Sequence, residues 1–503
     1  MLKGISWDEQ AIAADSERAR RRADAAAAAA KDRLPLEADP RQRAFVETYL
    51  LSRRVKLETE AGGELSDLKA LGAEIDALSR DFPHDRYFAR RRIFRMTFIL
   101  QKLKETNGDA SLAWAQAEAV EAICKPFLYD EACVGYLIWC WGYTLGISGA
   151  ADEEAVDGVI ARLRCYASAF PNSAEIPAAL ARALHLRMEA LGELGESETT
   201  EARLLSLASQ AETVGREAPE FANVQWSRAN ASLTLARMWK SDDKRGLKIA
   251  AIARNVDAFV QPFRDNVFQI IRLDVWQVHA HFESRNGVTP GEAERIAHRI
   301  TWAAAPFRVA AGISDVVALA WEAAVFGWHR DTREWAACER ALRRLDNWVA
   351  DSRLSAAGAY AQLSAWGSLL VVHIKRRDFE AVARLEPDAL DRANAACAAL
   401  PDDATIGEWA AYVFAEVAQA RRDRNAGREA LEELSARTRT LAAHFPSALS
   451  IQKNSDFVDR VLLGQAANTP LSRPGFPAAI RPEVVGQVSP AGPDRAASGS
   501  PAP

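Results

Sequence analysis

The tripeptide His329–Arg330–Asp331 has the residue types of a protein-kinase catalytic loop, in which the aspartate is the catalytic base. A kinase loop also has an asparagine five residues after that aspartate, and this chain has Ala336 there. The sequence contains neither the glycine-rich loop nor the lysine motif that would complete a kinase site. The tripeptide falls where the repeat pattern described below places a turn, so we predict that Asp331 or Thr332 caps a helix.

Histidines and cysteines form no metal-binding pattern either. His279 and His281 are two residues apart, so on a helix their side chains point in widely different directions and cannot share an ion. Cys133 and Cys140 are seven residues apart on one helical face, but no histidine or third cysteine nearby completes a ligand set. The GxxxxGK[ST] and GxSxG motifs are absent. We therefore predict no catalytic residue, cofactor or metal, and keep an enzyme with an unrecognised site as an alternative.

A basic segment, HDRYFARRRIFRM at 84–96, is the best candidate for a binding surface. Arg91 and Arg95 lie one helical turn apart and are expected to share an exposed face. One interpretation is a solvated face balanced by acidic neighbours, such as those of the loop at 58–67. The other is a basic patch that binds an acidic peptide or nucleic acid. The candidate partner-binding residues are Arg86, Arg90, Arg91, Arg92 and Arg95.

Composition limits the broad class of the protein. The chain has 503 residues, of which 49% are hydrophobic and 26% charged, which is typical of a folded chain with several domains or repeats. Its net charge of −5 gives no overall attraction to nucleic acid or anionic membranes. The six cysteines form no CxxC pair, and we predict that they are reduced and mostly buried in a cytoplasmic protein.

The stretch ACVGYLIWCWGYTLGISGAA, at 132–151, is uncharged over the twenty residues that a membrane span needs. It also contains four glycines, has two tryptophans in its middle and lacks flanking basic anchors. We predict a buried helix here and no membrane span.

Prolines that precede an apolar run recur at a nearly constant interval. Successive gaps are 43, 43, 45, 48, 43, 44, 95 and 45 residues, and the long gap is about twice the others. The segment at 351–360 occupies the position of the missing start, so ten units of about 45 residues follow one another from position 40. The marking prolines are Pro40, Pro83, Pro126, Pro171, Pro219, Pro262, Pro306, Pro401 and Pro446.

Each unit is predicted to contain two helices, A and B. Breaker and cap residues, such as EAGGE at 60–64 and RNAG at 424–427, fall near the middle of the units. The segment SAEIPAALARALHLRM, at 173–188, has its apolar residues at helical spacing, and alternating strand patterns are absent. A proline then ends helix B before the next helix A begins. Because one hairpin cannot bury its apolar face alone, neighbouring units must stack.

The two ends of the chain differ from the repeats. We predict an alanine- and arginine-rich capping helix at 1–39, the stacked hairpins at 40–464 and a proline-rich disordered tail at 465–503. The tenth unit contains only helix A.

The units resemble the tetratricopeptide-like (TPR-like) superfamily of helical-hairpin repeats, in which a proline closes helix B and small residues fix the helix packing. The resemblance covers about 40–463, with a period of about 45 residues instead of the family's 34. It implies an all-α fold: a right-handed α–α superhelix, or solenoid, of about ten two-helix repeats.

The same resemblance implies a non-catalytic scaffold or regulatory subunit that binds a protein or peptide along its surface. By analogy at the level of fold, such a subunit would serve a larger system, including bacterial signalling or defence. A nucleic-acid-binding solenoid that uses the basic patch of the second repeat is the alternative, and it predicts salt-sensitive binding.

Overall fold

The computed structural model describes residues 39–106, 108–147, 153–194, 197–239, 246–286, 291–307, 311–330, 334–352, 354–465, 471 and 474. These residues form nineteen α-helices and two short 3-10 helices, with no strand among them. The predicted all-α class is confirmed.

In chain order the helices are α1 (Pro40–Glu60), α2 (Leu65–Ser79), α3 (Arg86–Glu105), α4 (Ala110–Cys124), α5 (Glu131–Leu145), α6 (Glu153–Ser168), α7 (Glu175–Glu193), α8 (Glu198–Glu217), α9 (Ala222–Trp239), α10 (Gly246–Val260), α11 (Asn266–Asn286), α12 (Gly291–Ala304), α13 (Ala311–Arg330), α14 (Trp335–Ala350), α15 (Ala356–Arg376), α16 (Phe379–Ala399), α17 (Ala404–Asp423), α18 (Arg428–His444) and α19 (Leu449–Leu462). The 3-10 helices are Lys125–Phe127 and Ala305–Phe307.

The helices follow the predicted repeat register. The ten odd-numbered helices occupy the A positions and the nine even-numbered helices the B positions, so α19 is the predicted helix A without a partner. Pro40 is the first residue of α1, and the other marking prolines lie between a helix B and the next helix A. The unit that lacks its proline starts with a cap instead, because the Ser355 hydroxyl accepts the Gly358 N–H at 3.0 Å at the start of α15. The helical-repeat solenoid is confirmed.

Aspartates cap several A helices. Asp85 accepts the N–H of Tyr87 at 2.9 Å, and Asp403 accepts the N–H of Thr405 at 3.0 Å. Each of these aspartates follows the turn that contains the proline. The proline therefore ends one helix, and a cap two residues later fixes the start of the next.

Helix packing divides the described residues into two compact units, one up to Met238 and one from Trp239 onward. In the first unit α1, α3, α5 and α7 pack one on the next, and the even-numbered helices pack against them. In the second unit α11, α13, α15, α17 and α19 form the same kind of row. Helix α15 is the most continuously buried of the A helices, and every residue of it from Ala357 to Leu370 is buried.

The uncharged stretch at 132–151 forms α5, as predicted, and its residues from 148 onward lie outside the described part. Trp141 is 1% exposed, which confirms a buried helix. Across the described ranges, no helix is long and apolar enough to cross a membrane.

The cysteines are mostly buried, as predicted. Cys124, Cys133, Cys140 and Cys338 lie in the core, whereas Cys165 is exposed. None of the six is paired in a disulfide.

The predicted capping helix lies outside the described residues except for Asp39, and so does most of the predicted disordered tail. Within the tail, Leu471 is half-buried and Pro474 is buried. The predicted cap at Asp331 or Thr332 also falls outside the described ranges.

Candidate functional site

An open cleft of about 600 Å³ lies at the edge of the first unit, where α2 turns into α3. Its walls come from the turns that precede α3 and α5 and from the start of α1. The lining residues are Arg41, Asp81, Phe82, Pro83, His84, Asp85, Arg86, Tyr87 and Tyr129.

The turn before α3 is held by a pair of stacked rings. Phe82 and Phe88 stack with their centroids 4.6 Å apart and their planes at 14°, and Phe88 is buried in the core. Tyr87, the neighbour of Phe88 on α3, is 37% exposed and lines the cleft. A buried phenylalanine thus anchors the turn beside an exposed tyrosine.

Asp85 joins the first two repeats at this edge. Besides capping α3, its carboxylate forms an ion pair with Arg41 of α1, with Nη2 and Oδ2 2.6 Å apart. Arg41 Nε donates to the same oxygen at 2.8 Å, so two guanidinium nitrogens share Oδ2 while Oδ1 accepts the Tyr87 N–H. The cap therefore fixes the start of α3 against α1.

The turn before α5 repeats this arrangement. Phe127 is buried, Tyr129 is 69% exposed, and their ring centroids are 6.4 Å apart. Asp130 caps α5 by accepting the Cys133 N–H at 3.0 Å, and its carboxylate pairs with Arg90 of α3. The third repeat is thereby linked to the second in the way that the second is linked to the first.

Exposed aromatic residues recur along this edge. Phe45, Tyr87 and Tyr129 belong to three consecutive repeats and are spaced 42 residues apart. The rings of Phe45 and Tyr87 meet edge to face, with centroids 5.7 Å apart. In the described part of the chain only one other aromatic side chain, Trp302, is comparably exposed. We call Phe45, Tyr87 and Tyr129 the aromatic edge.

Three of the five predicted arginines serve repeat packing. Arg90 Nη2 lies 2.5 Å from Asp130 Oδ2, and Arg92 Nε lies 2.9 Å from Asp76 Oδ1. Arg95 also pairs with Asp76 and is only 8% exposed, so it does not share an exposed face with Arg91 as expected. The carboxylates that pair with these three arginines are Asp76 of α2 and Asp130, the cap of α5.

The remaining two arginines lie over aromatic rings. The Arg91 guanidinium is 4.8 Å from the centroid of Tyr49 on α1, and that of Arg86 is 5.2 Å from the centroid of Tyr87. Arg86 is exposed, lines the cleft and forms no ion pair with any described residue. Of the five candidates, Arg86 is therefore the one placed at the cleft.

Electrostatics support the structural role of the Arg90–Asp130 pair. Burial disfavours the charge of Asp130, but the hydrogen bonds from Arg90 and the Cys133 N–H outweigh burial and lower the pKa of Asp130. Burial likewise opposes the charge of Arg90, and the contact with Asp130 raises its pKa. At Arg95, burial prevails over the attraction of Asp76 and lowers the pKa.

The buried cysteines and the histidines of the described residues serve packing and pairing. Burial raises the pKa of Cys124, Cys140 and Cys338 to about 12, so these side chains stay as thiols at neutral pH. His279 pairs with Glu283, and among the described residues no cluster of histidine, cysteine and carboxylate side chains can hold a metal ion. The cleft itself presents aromatic faces, one proline and a few charges.

The sequence analysis missed the tyrosines of the edge. The signal that finds them is an aromatic residue three to five positions after each of the first three marking prolines, at Phe45, Tyr87 and Tyr129. Spacing alone does not separate these rings from buried ones such as Phe88, which follows the same proline. No protein-family model matches the chain, and no curated protein is significantly similar to it in sequence.

Proposed function

We propose that the protein is a non-catalytic, TPR-like scaffold of the cytoplasm that binds a protein partner through the aromatic edge. The observation that carries this proposal is the exposure of Phe45, Tyr87 and Tyr129 in three consecutive repeats, each three to five residues after the marking proline, with two of them around an open cleft. Tyrosine supplies a large contact area with few rotatable bonds, and tyrosines are enriched among residues that dominate binding energy.

The repeated geometry favours an extended segment of the partner over a compact ligand. Aromatic groups on successive repeats form a row of similar contacts, which suits a chain that crosses several repeats. Arg86, at the margin of the cleft, supplies a charge for a polar rim around the apolar contacts.

The nucleic-acid alternative has less support. Arg90, Arg92 and Arg95 are matched by the carboxylates of Asp130 and Asp76, so their contact with phosphates would release few counterions. The net charge of −5 also disfavours binding to nucleic acid, which is negatively charged.

A regulatory role in a larger assembly, such as a bacterial signalling or defence system, follows from the fold class by analogy only. Such a role does not change which residues of the aromatic edge are proposed to bind the partner.

The test is site-specific cross-linking in the full-length tagged protein, expressed in its native host. A photoreactive phenylalanine analogue replaces Tyr129, and a matched control carries it in place of Trp302, which is 81% exposed on α12. We expect a stoichiometric protein adduct at position 129 and none at position 302. Tyr87→Ser should reduce that adduct strongly, because truncation of a dominant contact costs about 2 kcal/mol or more.

Two results would contradict the proposal that the protein is a protein-binding scaffold. One is the recovery of nucleic acid alone. The other is the absence of any protein adduct at position 129 at both low and moderate salt.

A further inference from the structure

We infer that the segment at 475–489 lies across the A helices of the second unit and covers the side that these helices turn away from the B helices. We call this side of α11, α13, α15 and α17 the A face. The inference goes beyond the proposed function, because it concerns another surface and names a segment of this chain as the occupant.

The A face of α15 is buried, although the helices that pack most against α15 lie on its other sides. Helices α13 and α17 flank it, and α14 and α16 are its B neighbours. Gln362 and Trp366 mark the side toward the B helices, because both donate to Asp346 of α14. Ser364 lies about half a turn away from both, yet it is 0% exposed, and its hydroxyl has no hydrogen-bond partner among the described residues.

The A faces of the two flanking helices are buried as well. On α13, Leu319 lies about half a turn from Trp321, whose indole bonds to α12, and Leu319 is buried. On α17, Tyr412 lies about half a turn from Arg421, which pairs with a carboxylate of α16, and Tyr412 is also buried. A cover that crosses several A helices accounts for this burial.

The composition of the chain after α19 indicates which residues form the cover. Large apolar side chains continue through residues 475–489 and then stop, because residues 490–503 contain none. Pro477 and Pro482 disfavour a helix, so we expect an extended segment that buries its apolar side chains on the A face. These side chains are Phe476, Ile480, Val484, Val485 and Val488.

The segment is long enough to cross the row. Pro474 is buried, so the chain is packed against protein just before the segment begins. The fifteen residues of 475–489 span up to about 50 Å when extended. Packed helices lie about 8–10 Å apart, so the row from α19 to α11 measures roughly 32–40 Å.

The charges of the A face and of the tail are complementary. Asp274 of α11 lies about half a turn from Arg272, which pairs with a carboxylate of α10, and Asp274 is buried. Glu416 of α17 lies one turn after the buried tyrosine of that helix and is buried too. In the tail, Arg473 precedes the segment and Arg481 lies within it. A guanidinium is well suited to contact a buried carboxylate.

Covering of the A face has a direct consequence for the solenoid. The segment contacts several repeats at once, so it links repeats that otherwise contact only their neighbours. A partner protein gains access to the A face only by displacing the segment.

The test is photocross-linking within the full-length chain. A photoreactive phenylalanine analogue replaces Phe476, and adducts are mapped by mass spectrometry in a mixture of unlabelled and ¹⁵N-labelled protein. We expect adducts within one copy, on peptides of α13, α15 or α17 that contain Leu319, Ser364 or Tyr412. The matched control carries the analogue in place of Ala496, beyond the last large apolar residue, and should give no adduct on these helices.

Hydroxyl-radical footprinting gives an independent measurement. In the full-length chain, Phe476→Ser with Arg481→Glu should raise the oxidation rate of Tyr412 several-fold, because the cover is lost. Arg495→Glu is the matched control and should leave that rate unchanged. Oxidation of Trp141, which is buried in the first unit, should stay low in both variants and report an intact fold.

Three outcomes overturn the inference. Adducts only between labelled and unlabelled copies would assign the A face to a second copy of the chain. Adducts from position 476 on B helices alone, or none, would remove the segment from the A face. Unchanged oxidation of Tyr412 in the double variant would show that other residues bury it. All three leave the proposed function intact, because that function is tested at position 129.

Discussion

Asp130 shows how one residue serves both local structure and repeat packing. Its carboxylate accepts the Cys133 N–H, which starts α5, and receives the guanidinium of Arg90 from the preceding helix A. Arg41 and Asp85 form the same kind of pair one repeat earlier. A residue predicted for partner binding, Arg90, therefore contributes to the register between repeats.

We expect Asp130→Asn to lower the free energy of unfolding by about 1.5–3 kcal/mol at pH 7, because a charge-assisted hydrogen bond is lost while asparagine still caps the helix. The folded-state pKa of Asp130 is lowered, so its stabilisation is present above the unfolded-state pKa of about 3.9 and is lost as the pH falls through the folded-state pKa. Urea unfolding at pH 7 and pH 3 should show the difference between parent and variant shrinking in acid.

The matched control is Glu131→Gln, which removes the same charge from the exposed neighbouring residue. It should change the stability by no more than about 0.5 kcal/mol at pH 7. An Asp130→Asn penalty that stays constant from pH 7 to pH 3 would show that the ion pair is not its origin.

At the scale of elements, an acidic residue recurs on the B helices and links its helix to the next helix A, and at some positions also to the following helix B. Glu121 on α4 accepts Trp141 Nε1 of α5 at 3.0 Å, and from α6 it accepts Arg162 Nε at 3.1 Å and the Tyr166 hydroxyl at 2.8 Å. Asp257 on α10 pairs in the same way with arginines of α11 and α12. The acidic residues that pair with neighbouring helices in this way, each on a different helix B, include Asp76, Glu121, Glu212, Asp257 and Asp346.

We expect Glu121→Ala to lower the free energy of unfolding by about 2–3 kcal/mol, since the buried Trp141 indole of α5 and the half-buried Tyr166 hydroxyl of α6 lose their acceptor. Hydrogen exchange followed by mass spectrometry should show faster exchange in α4, α5 and α6, because each repeat contacts only its neighbours.

Glu118→Ala on the same helix is the control, because among the described residues its carboxylate accepts only Trp114 Nε1 of its own helix, at 3.1 Å. Equal destabilisation by the two substitutions would rule out the inter-repeat link as the cause.

At the scale of the whole molecule, stability is distributed unevenly along the row of A helices. In the second unit α15 lies between α13 and α17, whereas among the described residues α19 has a neighbouring helix A on one side only and no helix B after it. In repeat architectures the stability of a unit depends on its interfaces with its neighbours. Within the described part of the chain, α19 is therefore the least supported helix of its row.

We expect the amides of α19 to exchange faster than those of α15, measured by hydrogen exchange at neutral pH. The physical reason is the missing interface and not the local sequence, because α19 also buries apolar residues such as Ile451 and Val458. Equal protection of the two helices would mean that residues beyond α19 supply the missing interface.

The sequence by itself determined the all-α class, the succession of repeats and the position of turns such as 60–64 and 424–427. Prolines and cap residues act locally: proline cannot continue a helix, and a side chain that caps the next helix needs only its own backbone as a partner. The unit at 351–360 shows this, because the interval predicted its start without a proline and Ser355 provides the cap.

Only the tertiary structure decided which side chains are exposed and which charges are paired. Tyr87 and Phe88 are adjacent in sequence, yet one lines a cleft and the other packs in the core. Arg86 and Arg95 belong to the same basic run, but Asp76, on the preceding helix, pairs with Arg95 alone of the two. Partners that lie far apart in the chain are set by helix stacking, so composition and spacing cannot distinguish a binding arginine from a structural one.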